Sequence, residues 1–341
     1  MRPVADGDEH GPLSRTAAVC DSVGRDRATG GSVDGICSGR IVVVTGAGTG
    51  IGREHALAFA RHGADLVVND LGGAVDGTGA SIGPASEVVD QIRALGGRAI
   101  VNGDDVADEA GAERLVGAAV EEFGRLDVLV NNAGILRDRM LVNMTYDEWD
   151  GVIRVHLRGT FGPMHVAARH WRERSKAGET VDGRIINTTS ASGIYGNVGQ
   201  TNYGAAKAGI AALTIIAAKE LARYGVTVNA IAPAAATRMT IPLNPSAADP
   251  LPEGVFDPRS PANIAPLVVW LGSTRSAAVT GRVFNVRGGR IRVAEGWRAG
   301  PGIDGQRAWD PWELDELVPD LVARAQPNAP MSGVPEPVDA G

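Results

Sequence analysis

Three side chains in the sequence could together move a proton on and off an alcohol. Tyr203 and Lys207 stand four apart, so on a helix they share one face. A phenol near pKa 10 is a poor base at neutral pH, and a neighbouring ammonium favours the phenolate and lowers that value toward the working range. Ser190 lies thirteen residues before Tyr203, shortly after a strand-like run, and its hydroxyl could hold a substrate oxygen. A Tyr-x-x-x-Lys spacing means little alone and needs a second cluster to give it a role.

That cluster is Thr45-Gly46-Ala47-Gly48-Thr49-Gly50-Ile51-Gly52, which follows one apolar run and opens a helical pattern. Glycines there let the backbone turn tightly and bring a pyrophosphate against amides at a helix N-terminus. Asp70 ends the second apolar run, 18 residues past Gly52. A carboxylate there accepts hydrogen bonds from adenosine ribose hydroxyls and repels a 2′-phosphate. Thr49 adds no positive charge to the loop, and Arg53 is the nearby cation that argues the other way. The cofactor expected is therefore NAD rather than NADP.

The elements that must carry these residues alternate. Ile41–Thr45, Leu66–Asn69, Ala99–Asn102, Asp127–Asn131, Arg184–Asn187, Thr227–Ile231 and Val283–Val286 read as strands. Between them, Arg53–His62, Ser86–Leu95, Ala110–Phe123, Tyr146–Arg172 and Tyr203–Arg223 read as helices. Apolar runs without alternation imply burial on both faces, and strand–helix repetition implies right-handed crossovers. The fold class expected is α/β: one Rossmann-type doubly wound parallel sheet with helices on both faces, over residues 40–296. The Tyr203–Arg223 helix is Ala/Ile/Leu-rich nearly all round and needs cover beyond the sheet, from a second subunit or from a loop of its own chain. A homodimer or homotetramer is expected. The Pro-rich stretch Met239–Ser260 suits a lid.

The termini differ. Residues 1–39 are polar and aperiodic, without the apolar segment of a secretory signal, and read as a disordered extension or as sequence upstream of the true start. Trp312–Ala325 spaces Leu314, Leu317, Val318, Leu321 and Val322 as an amphipathic helix with Pro319 as a kink or restart, in a helical extension over 297–326. The last stretch, 327–341, reads as a loose tail.

Composition narrows the function. With 33 Lys+Arg against 40 Asp+Glu, the net charge of −7 argues against a chain that grips phosphate backbones, so no nucleic-acid partner is expected. No apolar run reaches the roughly 20 residues of a membrane span. The 46 glycines among 341 residues, without collagen-like repetition, belong in turns and close backbone approaches. Two cysteines, Cys20 and Cys37, form no disulfide framework, and a reducing cytoplasm is expected. His10, His55, His62, His165 and His170 have no partners at metal-ligand spacing, so no metal is expected.

Together with Asn131-Asn132-Ala133-Gly134, these motifs make the chain resemble the short-chain dehydrogenase/reductase family over roughly Gly39 to Gly289. The resemblance implies that Tyr203 is the acid/base, that Ser190 orients the substrate oxygen, and that Lys207 lowers the tyrosine pKa and binds nicotinamide ribose. It also implies cofactor contacts from Gly46, Thr49, Gly50, Ile51, Asp70, Asp105, Val106, Asn132, Pro233 and Thr237, with Ala234 standing where the family usually has glycine. His156 fills a position where the family often has an asparagine that helps a proton-relay water; it is either that group's substitute or a packed helix residue. The stretches Val68–Gly73, Asn131–Arg139 and Ser190–Gln200 are more specific. They resemble the (3R)-hydroxyacyl-CoA dehydrogenase unit of peroxisomal multifunctional enzyme type 2 and its bacterial relatives. That branch implies NAD-dependent oxidation of a (3R)-3-hydroxyacyl-CoA, with a sterol-derived chain or a free steroid as alternatives; an NADPH-dependent 3-oxoacyl carrier-protein reductase is the rival enzyme and a non-catalytic NAD-binding protein the rival class. In that branch a C-terminal extension helps cover the active site, and here it could equally pack on its own domain.

Overall fold

The computed structural model describes residues 35–241, 251–252 and 254–334. Eight strands form one sheet: β1 Ile41–Thr45, β2 Asp65–Asn69, β3 Ala99–Asn102, β4 Val128–Asn131, β5 Gly183–Thr188, β6 Val226–Ala234, β7 Val283–Arg287 and β8 Arg290–Ala294. Their order is β3-β2-β1-β4-β5-β6-β7-β8, and all pairs but the last are parallel. Every residue of β1, β4 and β5 is buried, as the unbroken apolar runs require of strands covered on both faces. The helices are α1 Gly50–Arg61, α2 Gly83–Ala94, α3 Glu109–Phe123, α4 Tyr146–Ile153, α5 Gly159–Lys176, α6 Ala191–Tyr195, α7 Thr201–Leu221, α8 Ala265–Gly272 and α9 Leu314–Arg324.

Two cores sandwich the sheet. On one face Val42, Val44, Leu66 and Val68 pack with Phe59 of α1, Val88 and Ile92 of α2, and Val268 of α8. On the other, Val43, Leu129 and Ile185 pack with Leu115 of α3, Trp171 of α5 and Ala217 of α7. Trp171 is fully buried, and its indole N–H donates to the Leu126 carbonyl at 2.8 Å, so the ring adds apolar area without an orphaned polar atom. The chain crosses from one side of the sheet to the other between β3 and β4. That reversal places a crevice at the carboxyl ends of β1 and β4, where ligands bind in such sheets.

Several expectations need correction. Gly35–Gly39, read from composition as part of the extension, is packed: Cys37 lies in the first core and its thiol donates to the Val269 carbonyl at 3.4 Å. Residues 1–34 lie outside the described residues. The single helix expected over Tyr146–Arg172 is interrupted by a π-helical turn at Arg154–Arg158, and that turn carries His156. β8 was not foreseen; Gly288, at φ 54°, turns β7 back into it, and the alternating Arg290-Ile291-Arg292-Val293 suits an edge strand. Of the expected lid, 242–250 and 253 lie outside the described residues, as does 335–341 of the tail. In α9 Pro319 sits inside a continuous helix, and no residue of that helix is buried. Among the described residues no helix is long and apolar enough to cross a membrane.

Candidate active site

The glycine loop between β1 and α1 is held in shape from below. Gly46 and Gly50 have φ of 61° and 57°, and a Cβ on Gly52 would lie 2.1 Å from the Gly46 carbonyl oxygen. Thr45 Oγ1 accepts from the amides of Asn132 and Ala133 at 2.9 and 3.1 Å. The Asn132 side-chain amide donates to the carbonyls of Thr45 and Gly46 at 3.1 and 3.0 Å. Asn132 therefore lines the groove and also braces the loop, a role its motif alone does not reveal.

Asp70 closes the far end. One carboxylate oxygen accepts from the Gly48 amide at 2.7 Å and the other from the Gly72 amide at 2.6 Å. A carboxylate offers about four acceptor sites, so two amides leave room for two ribose hydroxyls. Arg53 is turned away from this end, held by Glu54 and by Gln91 at 2.6 Å. The cation that does reach the loop is Arg238, whose Nη2 donates to Thr49 Oγ1 at 2.8 Å; nothing in its local sequence signals that contact. Asp105 accepts from Arg154 at 2.7 Å, and Val106 follows it in the wall of the groove.

The chemistry-bearing residues converge at the other end. Asn131 Nδ2 donates to Asn187 Oδ1, and Asn187 Nδ2 to Thr214 Oγ1, both at 3.0 Å. This buried ladder joins β4 and β5 to α7 and fixes the helix that presents Tyr203 and Lys207. Ser190, just past β5, caps α6, its Oγ accepting from the Ser192 amide at 3.1 Å. Lys207 Nζ donates to the Thr188 carbonyl at 2.6 Å and lies 5.5 Å from the centre of the Tyr203 ring.

Burial dominates the charge balance of the empty groove. Burial pushes Lys207 from its ordinary 10.5 down to about 7, so the ammonium expected to acidify Tyr203 is only partly charged at neutral pH. Tyr203 is raised above its ordinary value, first by burial, with a hydrogen bond to Ser190 working the other way and the Asp138 charge adding to the rise. His156 is buried against Tyr203, ring edge to ring face at 5.0 Å between centroids. Its Nε2 sits on the Ile135 peptide, 2.7 Å from the oxygen and 3.1 Å from the nitrogen, while Nδ1 has no partner. Burial, and then the Lys207 charge, push His156 well below the usual histidine range, so it is neutral. A Cβ on Gly134 would lie 2.3 Å from its Cε1, which makes that glycine the condition for the ring's position.

One groove of about 410 Å³ joins the two ends. Gly46, Thr49, Gly50, Ile51, Asp70, Asp105, Val106, Asn132, Pro233 and Thr237 all line it, with His156, Ser190, Tyr203 and Lys207. Ala234 extends β6, paired with Arg287, so the absent glycine is met by ordinary strand backbone. The loop Leu71–Ile82 forms part of the wall through Leu71, Gly73, Ala74, Val75 and Gly77. It is fastened by the Leu136 amide to the Val75 carbonyl at 3.0 Å and by Arg137 Nε to the Asp76 carbonyl at 2.9 Å.

A doubly wound sheet with a glycine cradle at one end of a groove and Ser190, Tyr203 and Lys207 at the other defines an oxidoreductase acting on a hydroxyl group. The family profile "short chain dehydrogenase" matches residues 40–247, and the chain belongs to that family. It is 45% identical over 303 residues to "Hydroxyacyl-CoA dehydrogenase ChsB1" of Mycobacterium tuberculosis, across 86% of this chain and 92% of that protein. It is 47% identical over 253 residues to "Peroxisomal multifunctional enzyme type 2" of Mus musculus, across 74% of this chain and 32% of that much longer protein. Among solved structures, a short chain dehydrogenase from Mycobacterium avium matches with a TM-score of 0.78 and 56% identity, over 87% of this chain and 99% of that one. One from Mycobacterium paratuberculosis bound to NAD matches with a TM-score of 0.64 and 28% identity, over 75% and 98%.

Proposed function

We propose that the protein oxidises (3R)-3-hydroxyacyl-CoA thioesters to 3-oxoacyl-CoA with NAD. The observation that carries the reading is the single groove with Asp70 at one end and Ser190, Tyr203 and Lys207 at the other. Its glycine cradle and the spare acceptor sites of Asp70 fit a dinucleotide without a 2′-phosphate, and the relative bound to NAD supports the same choice. The names of the hydroxyacyl-CoA dehydrogenase and multifunctional-enzyme relatives support the thioester.

When bound, the nicotinamide supplies the acceptor for the C3 hydride. Ser190 Oγ holds the substrate oxygen, and Tyr203 takes the hydroxyl proton. Lys207, fixed on the Thr188 carbonyl, stands behind Tyr203 to hold nicotinamide ribose and pass the proton on. His156, neutral and packed against Tyr203 with Nδ1 buried and unpartnered, stands where the family often has the asparagine that helps a relay water. The residues on α7 that face away from the sheet include Ala205, Ala208, Ala212, Ile215 and Ile216, all exposed in the single chain, and this face meets a second copy.

The test is NADH formation at 340 nm with (3R)- and (3S)-3-hydroxyacyl-CoA of several chain lengths, with NAD and NADP in parallel. Turnover confined to the 3R thioester with NAD is the expected result. Silence on every thioester with turnover of a free hydroxysteroid overturns the substrate assignment and leaves the triad in place.

A further inference from the structure

A polar cluster with no part in the hydride chemistry lies on the serine side of the site. At its centre is Gln200, buried at the start of α7 and lining the groove. Its Oε1 accepts from Ser192 Oγ at 2.7 Å and from Asn197 Nδ2 at 2.9 Å, and its Nε2 donates to Asp138 Oδ2 at 2.7 Å. Backbone contacts run alongside: the Arg139 amide donates to the Gly199 carbonyl at 2.8 Å, and Asn202 Nδ2 to the Arg137 carbonyl at 2.9 Å. The segment after β4 is thus sewn to the loop between Ser190 and Tyr203. A carboxylate only accepts, so Asp138 selects the nitrogen end of the Gln200 amide and leaves the oxygen for Ser192 and Asn197.

We propose that Asp138 and Gln200 are positioning residues for proton transfer: Asp138 orients the Gln200 amide, and Gln200 holds the Ser192–Asn197 segment, α6 and the turn after it, that sets Ser190 against Tyr203. The last link is the Ser192 amide, which donates to Ser190 Oγ at 3.1 Å. This inference rests on the reading of Tyr203 as the acid/base. It also has an electrostatic side. Tyr203 is faced by Lys207 from its own helix, by His156 from the π-turn, by Ser190 from the end of β5 and by Asp138 from the segment after β4. The neighbouring Arg137 and Arg139 are engaged elsewhere, Arg137 on the Asp76 and Asp147 carbonyls and Arg139 on Glu148 at 2.7 Å. Asp138 is the carboxylate whose charge acts on Tyr203, and it favours the neutral phenol.

Asp138→Asn keeps the size and an acceptor for Gln200 while removing the charge. Oxidation needs the phenolate, so its rate rises with pH through the titration of Tyr203. Loss of the Asp138 charge moves that limb to lower pH. Gln200→Glu sets two carboxylates face to face and lowers kcat roughly tenfold with the KM for cofactor unchanged. In Asp138→Asn/Gln200→Glu the hydrogen bond returns with donor and acceptor exchanged, and most of kcat is recovered. Thermal unfolding and cofactor binding of each variant show that the fold is kept. An Asp138→Asn profile that overlays the parent, or a double variant no faster than Gln200→Glu alone, overturns the proposal. Tyr203→Phe run in parallel separates the two readings: turnover retained there removes the acid/base assignment, whereas an inactive Tyr203→Phe beside an unmoved Asp138→Asn profile removes only the positioning role.

Discussion

Replacing Lys207 by methionine should make the protein inactive and more stable. The lysine is buried on α7, with one hydrogen bond, to the Thr188 carbonyl at 2.6 Å. Burial takes its pKa from 10.5 to about 7, which at about 1.4 kcal/mol per pH unit is a cost of about 5 kcal/mol for keeping it folded at neutral pH. Methionine matches the stem in volume and carries no charge, but it leaves the Thr188 carbonyl without a donor, a loss of about 1–3 kcal/mol. The net gain is about 2 kcal/mol or more, and at about 2–4 °C per kcal/mol for a domain of this size the melting midpoint rises by at least ~4 °C. The pH dependence is the sharper signature. A folded-state pKa below the unfolded one means the unfolded chain binds the extra proton between pH 7 and 10.5, so the parent gains stability across that window. Above it both states are neutral and the cost is gone. The stability gap between Lys207→Met and parent is therefore full at pH 7 and below and shrinks toward pH 10. Calorimetry of both proteins without cofactor, at pH 7 and pH 10, decides it. A less stable variant at pH 7, or a gap that does not shrink, would refute the claim that this lysine is held at an energetic cost.

Four further outcomes follow from the geometry. Tyr203→Phe lowers the rate of hydride transfer roughly 10²–10⁴-fold while leaving cofactor affinity nearly intact, as read by turnover and by titration of cofactor fluorescence. Because burial raises Tyr203, kcat/KM for oxidation climbs with pH into the alkaline range and the reverse reduction falls; a flat profile from pH 7 to 10 would remove Tyr203 as the titrating group. Asp70→Ser weakens NAD binding by about 3 kcal/mol, roughly hundredfold, through two lost carboxylate hydrogen bonds, and improves NADP relative to NAD; an unchanged NADP/NAD ratio would show that Asp70 does not discriminate. Light scattering at micromolar concentration should show more than one copy, and a monomer would leave the exposed Ile215 and Ile216 face of α7 without its explanation.

The parts of this site that were legible in the sequence are those whose meaning is local. A glycine loop between a strand and a helix, an acid at the end of the next strand, and a tyrosine and lysine one helical turn apart each declare themselves within a few residues. What was hidden depends on pairing between distant segments. The Asn131–Asn187–Thr214 ladder exists because β4 and β5 are parallel with Asn131 opposite Asn187, a register no single strand announces. Arg238 meets Thr49 across 189 positions, so nothing near either residue could show that a cation reaches the glycine loop. The π-turn at Arg154–Arg158 was invisible for the opposite reason, since one turn of altered pitch barely disturbs a long helical pattern.

Spacing reports proximity and not burial, and in the empty groove burial is the largest influence on Tyr203. Four residues on one helix face bring Lys207 beneath Tyr203, which is the geometry an acidified phenol needs. Lys207 is buried and Tyr203 partly so, and desolvation opposes the charged form of each. Lys207 falls to about 7 while Tyr203 rises, so at neutral pH the phenol is protonated and the lysine about half charged. A pair in that state is poised rather than active: the oxidised nicotinamide is a cation, and bound in the groove it favours the phenolate. The charged fraction of Lys207, 5.5 Å from the centre of the Tyr203 ring, favours it too. On this argument the working pKa of Tyr203 belongs to the occupied groove, and the alkaline limb measured for turnover should lie below the phenol titration measured by ultraviolet absorbance in the empty protein. Coincident values would mean that occupancy leaves the pair's charge state unchanged and that Lys207 serves only to hold its ligand in place.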